Sequence, residues 1–295
     1  MRSIQPSRPT IEDELNDLKL RVRALEALVP GGAIPTAFGD LAKTIAGDDI
    51  LRGYWVLGDP ADTSGEMADT SGWSGGPSPY NIHNHSGTEL VQDVAGCLNP
   101  DTGACEWPSF FCQSYLAAPN ADMFITGDGS DIIDSQFSCC GWVNPTSETP
   151  DVFRGVIFSN HVLNGAGPYH EEGWDLECYW DGSGNIEARM IRWVSGIGVI
   201  AAAAVAPDTC SFVAGTYDGA NVRLYINGVL ADTQPDSRTP AFTAAVGSPT
   251  TGTIVVDSSG PTSQYYYGTI DDVCFWAPAV LGLSDWEELY AAGIG

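Results

Sequence analysis

Residues Ser211–Thr233 read SFVAGTYDGANVRLYINGVLADT, and this stretch decides how the chain folds. Two apolar runs, Ser211–Tyr217 and Val222–Ile226, have the length of strands and are too short for helices. They are rich in β-branched and aromatic side chains, which suit a pleated, packed surface. Asp218-Gly219 and Asn227-Gly228 punctuate them. Asn-Gly between RLYI and VLADT is a two-residue hairpin signal, because both turn positions need a positive φ. The stretch therefore predicts antiparallel strands joined by tight turns.

The same pattern extends outward on both sides. Strands are predicted at Tyr54–Leu57, Ser114–Ala117, Phe137–Asn144, Gly155–Ser159, Trp174–Trp180, Ile186–Trp193, Ile197–Ala204, Thr253–Val256 and Gly268–Trp276. The apolar run from Ile197 to Ala206 reads as a buried strand. A closing helix is predicted over Ser284–Ala292, with Ser284 as N-cap and Glu287 three residues later. The chain holds 34 Gly, 19 Pro, 11 Tyr and 9 Trp, and its 43% hydrophobic content is ample for a core. Many short strands with no helices between them predict an all-β sandwich of two antiparallel sheets.

The first thirty residues follow a different period. Ile11, Leu15, Leu18, Val22, Leu25 and Val29 are spaced four and three apart, the seam of a heptad coiled coil. Glu14 precedes Lys19 by five and Arg21 precedes Glu26 by five, a spacing that pairs opposite charges across parallel helices. Arg21-Val22-Arg23-Ala24-Leu25-Glu26 resembles the Arg-h-x-x-h-Glu pattern of short trimeric coiled coils, which implies a parallel homotrimer. A lone amphipathic helix is the alternative. Pro30-Gly31-Gly32 ends the helix. The expected organisation is an N-terminal anchoring arm (1–10), a trimeric coiled coil (11–29), a connector (30–49) and a sandwich (50–295).

A formal charge of −26 makes nucleic acid and anionic membranes poor partners. No run of 18 apolar residues is present, so no membrane insertion is expected. MRSIQPSRPT has no apolar core, which predicts no signal peptide. Of eight cysteines, Cys139, Cys140, Cys178 and Cys274 fall in predicted strands as small buried thiols. Cys97 and Cys105 flank a turn-like LNPDTGA and are candidates for a bridge.

A family resemblance rests on the second half. FVAGTYDG (212–219) with VRLYINGVL (222–230) resembles the central hairpin of laminin-G-like, concanavalin A-like lectin/glucanase domains. GTIDDVCFW (268–276) followed by LSDW (283–286) is similar to the closing strand and helix of that family. FSCCGWVNP (137–145) resembles an early strand, and Gly58-Asp59 with the turns at Asp62 and Asp69 resembles the opening. The resemblance covers roughly residues 50–292 and implies a jelly roll of two stacked sheets. Residues 73–112 depart from it as an insertion rich in Cys, His and aromatic residues.

Glucanases of this fold carry three acids on one strand, Glu-x-Asp-x-(x)-Glu. The nearest segment is Glu172-Gly173-Trp174-Asp175-Leu176-Glu177. Asp175 and Glu177 share a face, but the first acid is replaced by Gly173. A solvated pair of strand acids is the expected reading, and the chain is not expected to be an enzyme. Laminin-G-like domains often bind Ca²⁺ at the sandwich rim, which makes Asp62, Asp69, Asp271 and Asp272 the candidate ligands. The same acids also suit turn caps facing water. His83, His85, Cys97, Cys105 and Cys112 fit no tight zinc spacing. Trp73, Tyr80, Trp107, Tyr265 and Tyr267 are candidate sugar-stacking side chains, with core packing as the alternative.

A trimerising rod before a lectin-like sandwich, with no signal peptide, matches a virion surface protein such as a phage head fibre, capsid decoration or tail appendage. Its arm would engage a capsid or tail protein, and its sandwiches would bind host-surface glycans or decorate the particle. The alternatives are a glycoside hydrolase on the same fold and a non-viral bacterial surface adhesin.

Overall fold

The computed structural model describes residues 37–46, 50–57, 91–98, 136–147, 153–163, 171–238 and 260–294, with short strands between them at 66–67, 82–84, 104–107, 116–117, 250–251 and 253–256. The chain divides into two compact units, Met1–Pro35 and Thr36–Gly295, and all described residues lie in the second. The heptad side chains Ile11, Leu15, Leu18, Arg21, Val22, Leu25, Glu26 and Val29 lie outside the described residues, as do Asp62, Asp69, Trp73 and Tyr80.

The second unit opens on helix α1 (Ala37–Thr44) and strand β1 (Leu51–Trp55). Short strands follow as β2 (Glu66–Met67), β3 (Ile82–Asn84), β4 (Val91–Val94), β5 (Ala104–Trp107) and β6 (Leu116–Ala117). Longer ones succeed them: β7 (Phe137–Pro145), β8 (Phe153–Ser159), β9 (Val162–Leu163), β10 (Glu171–Trp180), β11 (Ile186–Val194), β12 (Ile197–Val205), β13 (Ser211–Tyr217), β14 (Asn221–Ile226) and β15 (Val229–Pro235). The chain closes with β16 (Thr250–Thr251), β17 (Thr253–Val256), β18 (Gly260–Tyr265), β19 (Gly268–Trp276) and helix α2 (Leu283–Ile294). The first sheet runs β15-β14-β13-β7-β19-β5-β4, with β1 also on β19. The second runs β12-β11-β10-β8-β16-β6-β3-β2, with β9 beside β10. The expected sandwich of two antiparallel sheets is present. Asn227 and Gly228 both take positive φ, as the hairpin from β14 to β15 requires.

Packing explains why the central strands of the first sheet are continuous apolar runs. Phe137, Cys139 and Val143 of β7 and Val213 and Tyr217 of β13 fill the core between the sheets. Cys140, Trp142, Phe212 and Ala214 point the other way, into a second layer under Phe38 and Ala42 of α1 and Trp286 and Leu289 of α2. Both faces are buried, so every described position from Phe137 to Val143 is apolar or small. Gly215 lets the sheets approach, since a Cβ there would lie 2.4 Å from the Met190 sulfur.

Several expectations change. Part of the expected connector, 37–44, is a helix packed on the sandwich. β12 is the edge of its sheet, not a buried strand, and Ile197 is 63% exposed. Asp232 accepts the Ala202 N–H and Arg238 donates to the Ile197 carbonyl, so side chains satisfy part of that edge. Cys97 bonds Cys210, 113 residues away, instead of Cys105. The four strand cysteines are buried, as expected.

Candidate functional site on the outer face of the second sheet

β10 and β11 send Trp174, Leu176, Cys178, Trp180, Ile186, Ala188 and Met190 into the core. Alternation then places Asp175, Glu177 and Tyr179 on the outer face, beside Glu187, Arg189, Ile191 and Trp193. β8 adds Arg154 and Ser159 from the other side. The two acids are not solvated, because both side chains are fully buried. Burial of a carboxylate demands partners, and the neighbouring strands supply them.

Ser159 Oγ donates to Asp175 Oδ1 at 2.6 Å, and Trp193 Nε1 donates to Oδ2 at 2.7 Å. His161 Nδ1 stands 3.1 Å from the same Oδ2, an ion-pair distance without an aligned hydrogen bond. Arg154 Nη2 lies 3.4 Å from Asp175 Oδ2 and 2.7 Å from Glu177 Oε2, so one guanidinium ties the two carboxylates together. Its Nε adds a 2.8 Å hydrogen bond to Glu177. Glu177 Oε1 is buried and has no hydrogen-bond partner among the described residues.

These environments push the two acids apart. Burial works to raise the Asp175 carboxyl, but His161, Arg154 and Ser159 outweigh it and hold it below the usual carboxylate range. Glu177 is pushed up to about 7, chiefly by burial, with Arg154 opposing and Asp175 adding to the rise. Stacking fixes the surrounding rings. His161 lies parallel to Trp193 at 5.1 Å, and Arg154 stands 5.5 Å from the Trp193 ring. Arg189 covers Tyr179 at 3.4 Å and is held by Glu187 through a 2.8 Å contact. Arg154, Tyr179, Arg189 and Trp193 are partly exposed and form the rim above the buried acids.

Within β10, Gly173 packs directly against the backbone that follows β8. Its φ is +109°, and a Cβ would lie 2.6 Å from the Asn160 carbonyl oxygen and 3.0 Å from the His161 Cα. Asn160 Oδ1 meanwhile accepts the Trp174 N–H at 3.1 Å. The position that carries the first acid in the glucanase pattern is therefore sterically closed to any side chain.

The other candidate residues fall elsewhere. Tyr267 is buried in the core and does not face solvent, and neighbouring Tyr266 is fully buried against Trp180. Tyr265 ends β18 and Trp107 ends β5, but their side chains lie outside the described residues. Asp271 and Asp272 do not face water. A bulge opens between Asp271 and Cys274, Asp272 takes φ +42°, and both acids are fully buried. The Tyr54 hydroxyl donates to Asp272, and the Cys97 N–H donates to Asp271 at 3.0 Å. Burial, then Asp272, push the Tyr54 phenol up. Among the described residues, no group of three or more His, Cys, Asp or Glu side chains is placed to hold a metal, and no helix is long and apolar enough to cross a membrane. Sequence reasoning found Asp175 and Glu177 but missed Arg154, Ser159, His161 and Trp193. Strand alternation alone was the available signal for Trp193; the rest depend on pairing across three strands.

A family model described as the concanavalin A-like lectin/glucanases superfamily, of laminin-G type, matches residues 114–281. The chain belongs to this superfamily. Among solved structures, this chain resembles the binding domain of botulinum neurotoxin serotype D, with a TM-score of 0.54 at 15% identity over 86% of this chain and 52% of that one. The binding domain of Paraclostridial Mosquitocidal Protein 1 gives 0.52 at 16%, over 82% and 52%. The Trypanosoma rangeli sialidase in complex with 2,3-difluorosialic acid gives 0.50 at 11%, over 94% and 39%. The chain spans about half the length of the two toxin domains, and at these identities the likeness is one of fold. No curated protein matches this superfamily member in sequence.

Proposed function

We propose that this lectin-like jelly roll is the glycan-binding domain of a trimeric virion surface protein, a head fibre, capsid decoration or tail appendage. The observation that carries the binding role is the outer face of the second sheet. There, buried Asp175 and Glu177 lie beneath a rim of Tyr179, Arg189, Trp193 and Arg154. Guanidinium groups donate to sugar hydroxyls and aromatic rings pack on sugar faces, so the partly exposed rim held in place by these acids suits a saccharide. The toxin domains that share the fold are themselves binding domains, which agrees with this reading. The heptad over residues 11–29 supports the trimer, and its place before a lectin-like domain supports an anchored appendage. Capsid or tail protein is the proposed partner of the N-terminal arm, and the virion surface its place of action.

Light scattering on the full chain and on a chain lacking residues 1–30 tests the assembly. A trimer that falls to monomer on truncation is expected; a full-length monomer would remove the appendage reading. One observation favours a second reading. Two same-face carboxyls whose environments separate their proton affinities are the arrangement of an acid and its partner in glycoside hydrolysis. Turnover of β-glucan that disappears in Glu177→Gln would establish that reading.

A further inference from the structure

We propose that Cys210 is a thiol-exchange site, where a small external thiol opens the Cys97–Cys210 bond while the sandwich stays folded. The two sulfurs differ in access. Cys210 is exposed and stands one residue before β13. Cys97 is half-buried and packs against the layer beneath α1 and α2. Cys139, Cys140, Cys178 and Cys274 are fully buried in their strands. Among the cysteines whose side chains are described, Cys210 alone is exposed. Exchange begins when a thiolate reaches one sulfur of a disulfide, so access decides which sulfur is attacked.

In the first step the external thiolate bonds to Cys210 Sγ and the bond to Cys97 breaks. Its electron pair leaves on Cys97 Sγ, which takes a proton from water. Cys210 then carries a mixed disulfide. A second external thiolate attacks the added sulfur and leaves Cys210 as a thiol. Two external thiols have then been oxidised to their disulfide, and the protein disulfide reduced to two thiols. Cysteamine, a cation at neutral pH, suits this chemistry in a chain of formal charge −26.

Other forces keep both ends of the bond in place. β13 pairs with β7 on one side and β14 on the other through backbone ladders. The Cys97 N–H donates to Asp271 Oδ2 at 3.0 Å. Opening the bond therefore loosens a clasp and leaves the sheets paired, and Cys97 stays near enough to close it again once the thiol is removed. The clasp reaches inward through that hydrogen bond. Asp271 and Asp272 are adjacent and fully buried at the bulge of β19, and Asp272 accepts the Tyr54 hydroxyl. Exchange at the surface is thus felt first at the Cys97 N–H and then at this acid pair.

The test treats the native full chain with millimolar cysteamine at pH 8, quenches with acid, alkylates the thiols and weighs the peptides. The expected result is a cysteamine adduct on Cys210 and an alkylated Cys97, with no adduct on Cys139, Cys140, Cys178 or Cys274 and an unchanged far-UV circular dichroism spectrum. Amide exchange at Cys97 should quicken about tenfold or more while β13 stays protected. Cys97→Ser leaves Cys210 as a thiol, and that variant should form the same adduct with cystamine, the disulfide of cysteamine. An adduct on Cys97 with Cys210 alkylated overturns the inference. So does a bond that opens only as the sheet signal is lost, or a folded Cys97→Ser chain whose Cys210 ignores cystamine.

Discussion

Glu177 and Asp175 sit two residues apart on β10, yet proton affinity moves in opposite directions at the two sites. The reason is donor supply. Asp175 collects Ser159, Trp193 and His161, whereas Glu177 has Arg154 at one oxygen only. The consequence for stability has opposite signs too. Glu177 is raised from 4.5 to about 7, so the folded chain keeps a proton that the unfolded chain has released across that window. Its contribution is fully present below about 4.5 and is lost as pH rises through about 7, on the order of 3 kcal/mol in all. Asp175 is lowered, so its contribution is present above the ordinary carboxylate range and is lost as pH falls through its depressed value. Urea unfolding of Glu177→Gln should therefore show a flatter stability profile between pH 5 and pH 8 than the wild type. An unchanged slope would mean that the burial of Glu177 does not control its proton.

At the scale of the element, β10 shows how one strand serves two environments. Its inward residues are apolar, its outward ones are two acids and a tyrosine, and a glycine near its start takes a positive φ. Gly173 adopts φ +109° against the Asn160 backbone, where any L side chain meets both strain and collision. Gly173→Ala should cost more than about 1 kcal/mol in urea denaturation, and Gly173→Glu should fail to fold. A stable Gly173→Glu chain would show that this packing can be rebuilt, and would reopen the glucanase pattern at this strand. β12 teaches a related lesson about reading apolar runs. IGVIAAAAV looks like interior, but alanine side chains are small enough to tolerate an edge, and Asp232 and Arg238 satisfy backbone groups there. The length of an apolar run reports that a strand exists, not where it stands in its sheet.

Across the whole molecule, the Cys97–Cys210 disulfide joins a segment before β5 to the start of β13, closing a loop of 113 residues. It also holds Cys97 where its N–H reaches Asp271. Cys97→Ser should lower stability by about 2–5 kcal/mol, and dithiothreitol should reproduce that loss in the wild type but add nothing to the variant. Equal unfolding midpoints with and without reductant would show that the sheets alone carry the fold.

The strands β13, β17 and β19, the Asn227-Gly228 hairpin and the closing helix were legible because local chemistry dictates each of them: residue shape, alternation and turn dihedrals act within a few positions. Membership in the lectin/glucanase superfamily was legible for the same reason, since its hairpin and closing strand are local motifs. The partners of Asp175, the bulge that buries Asp271 and Asp272, the interior place of Tyr267 and the bond from Cys97 to Cys210 were decided only by the tertiary structure. Each depends on which strands become neighbours and in what register. A one-residue shift in pairing would turn Asp175 from Trp193 and Ser159 into the core, and that register is set by the packing of both sheets at once.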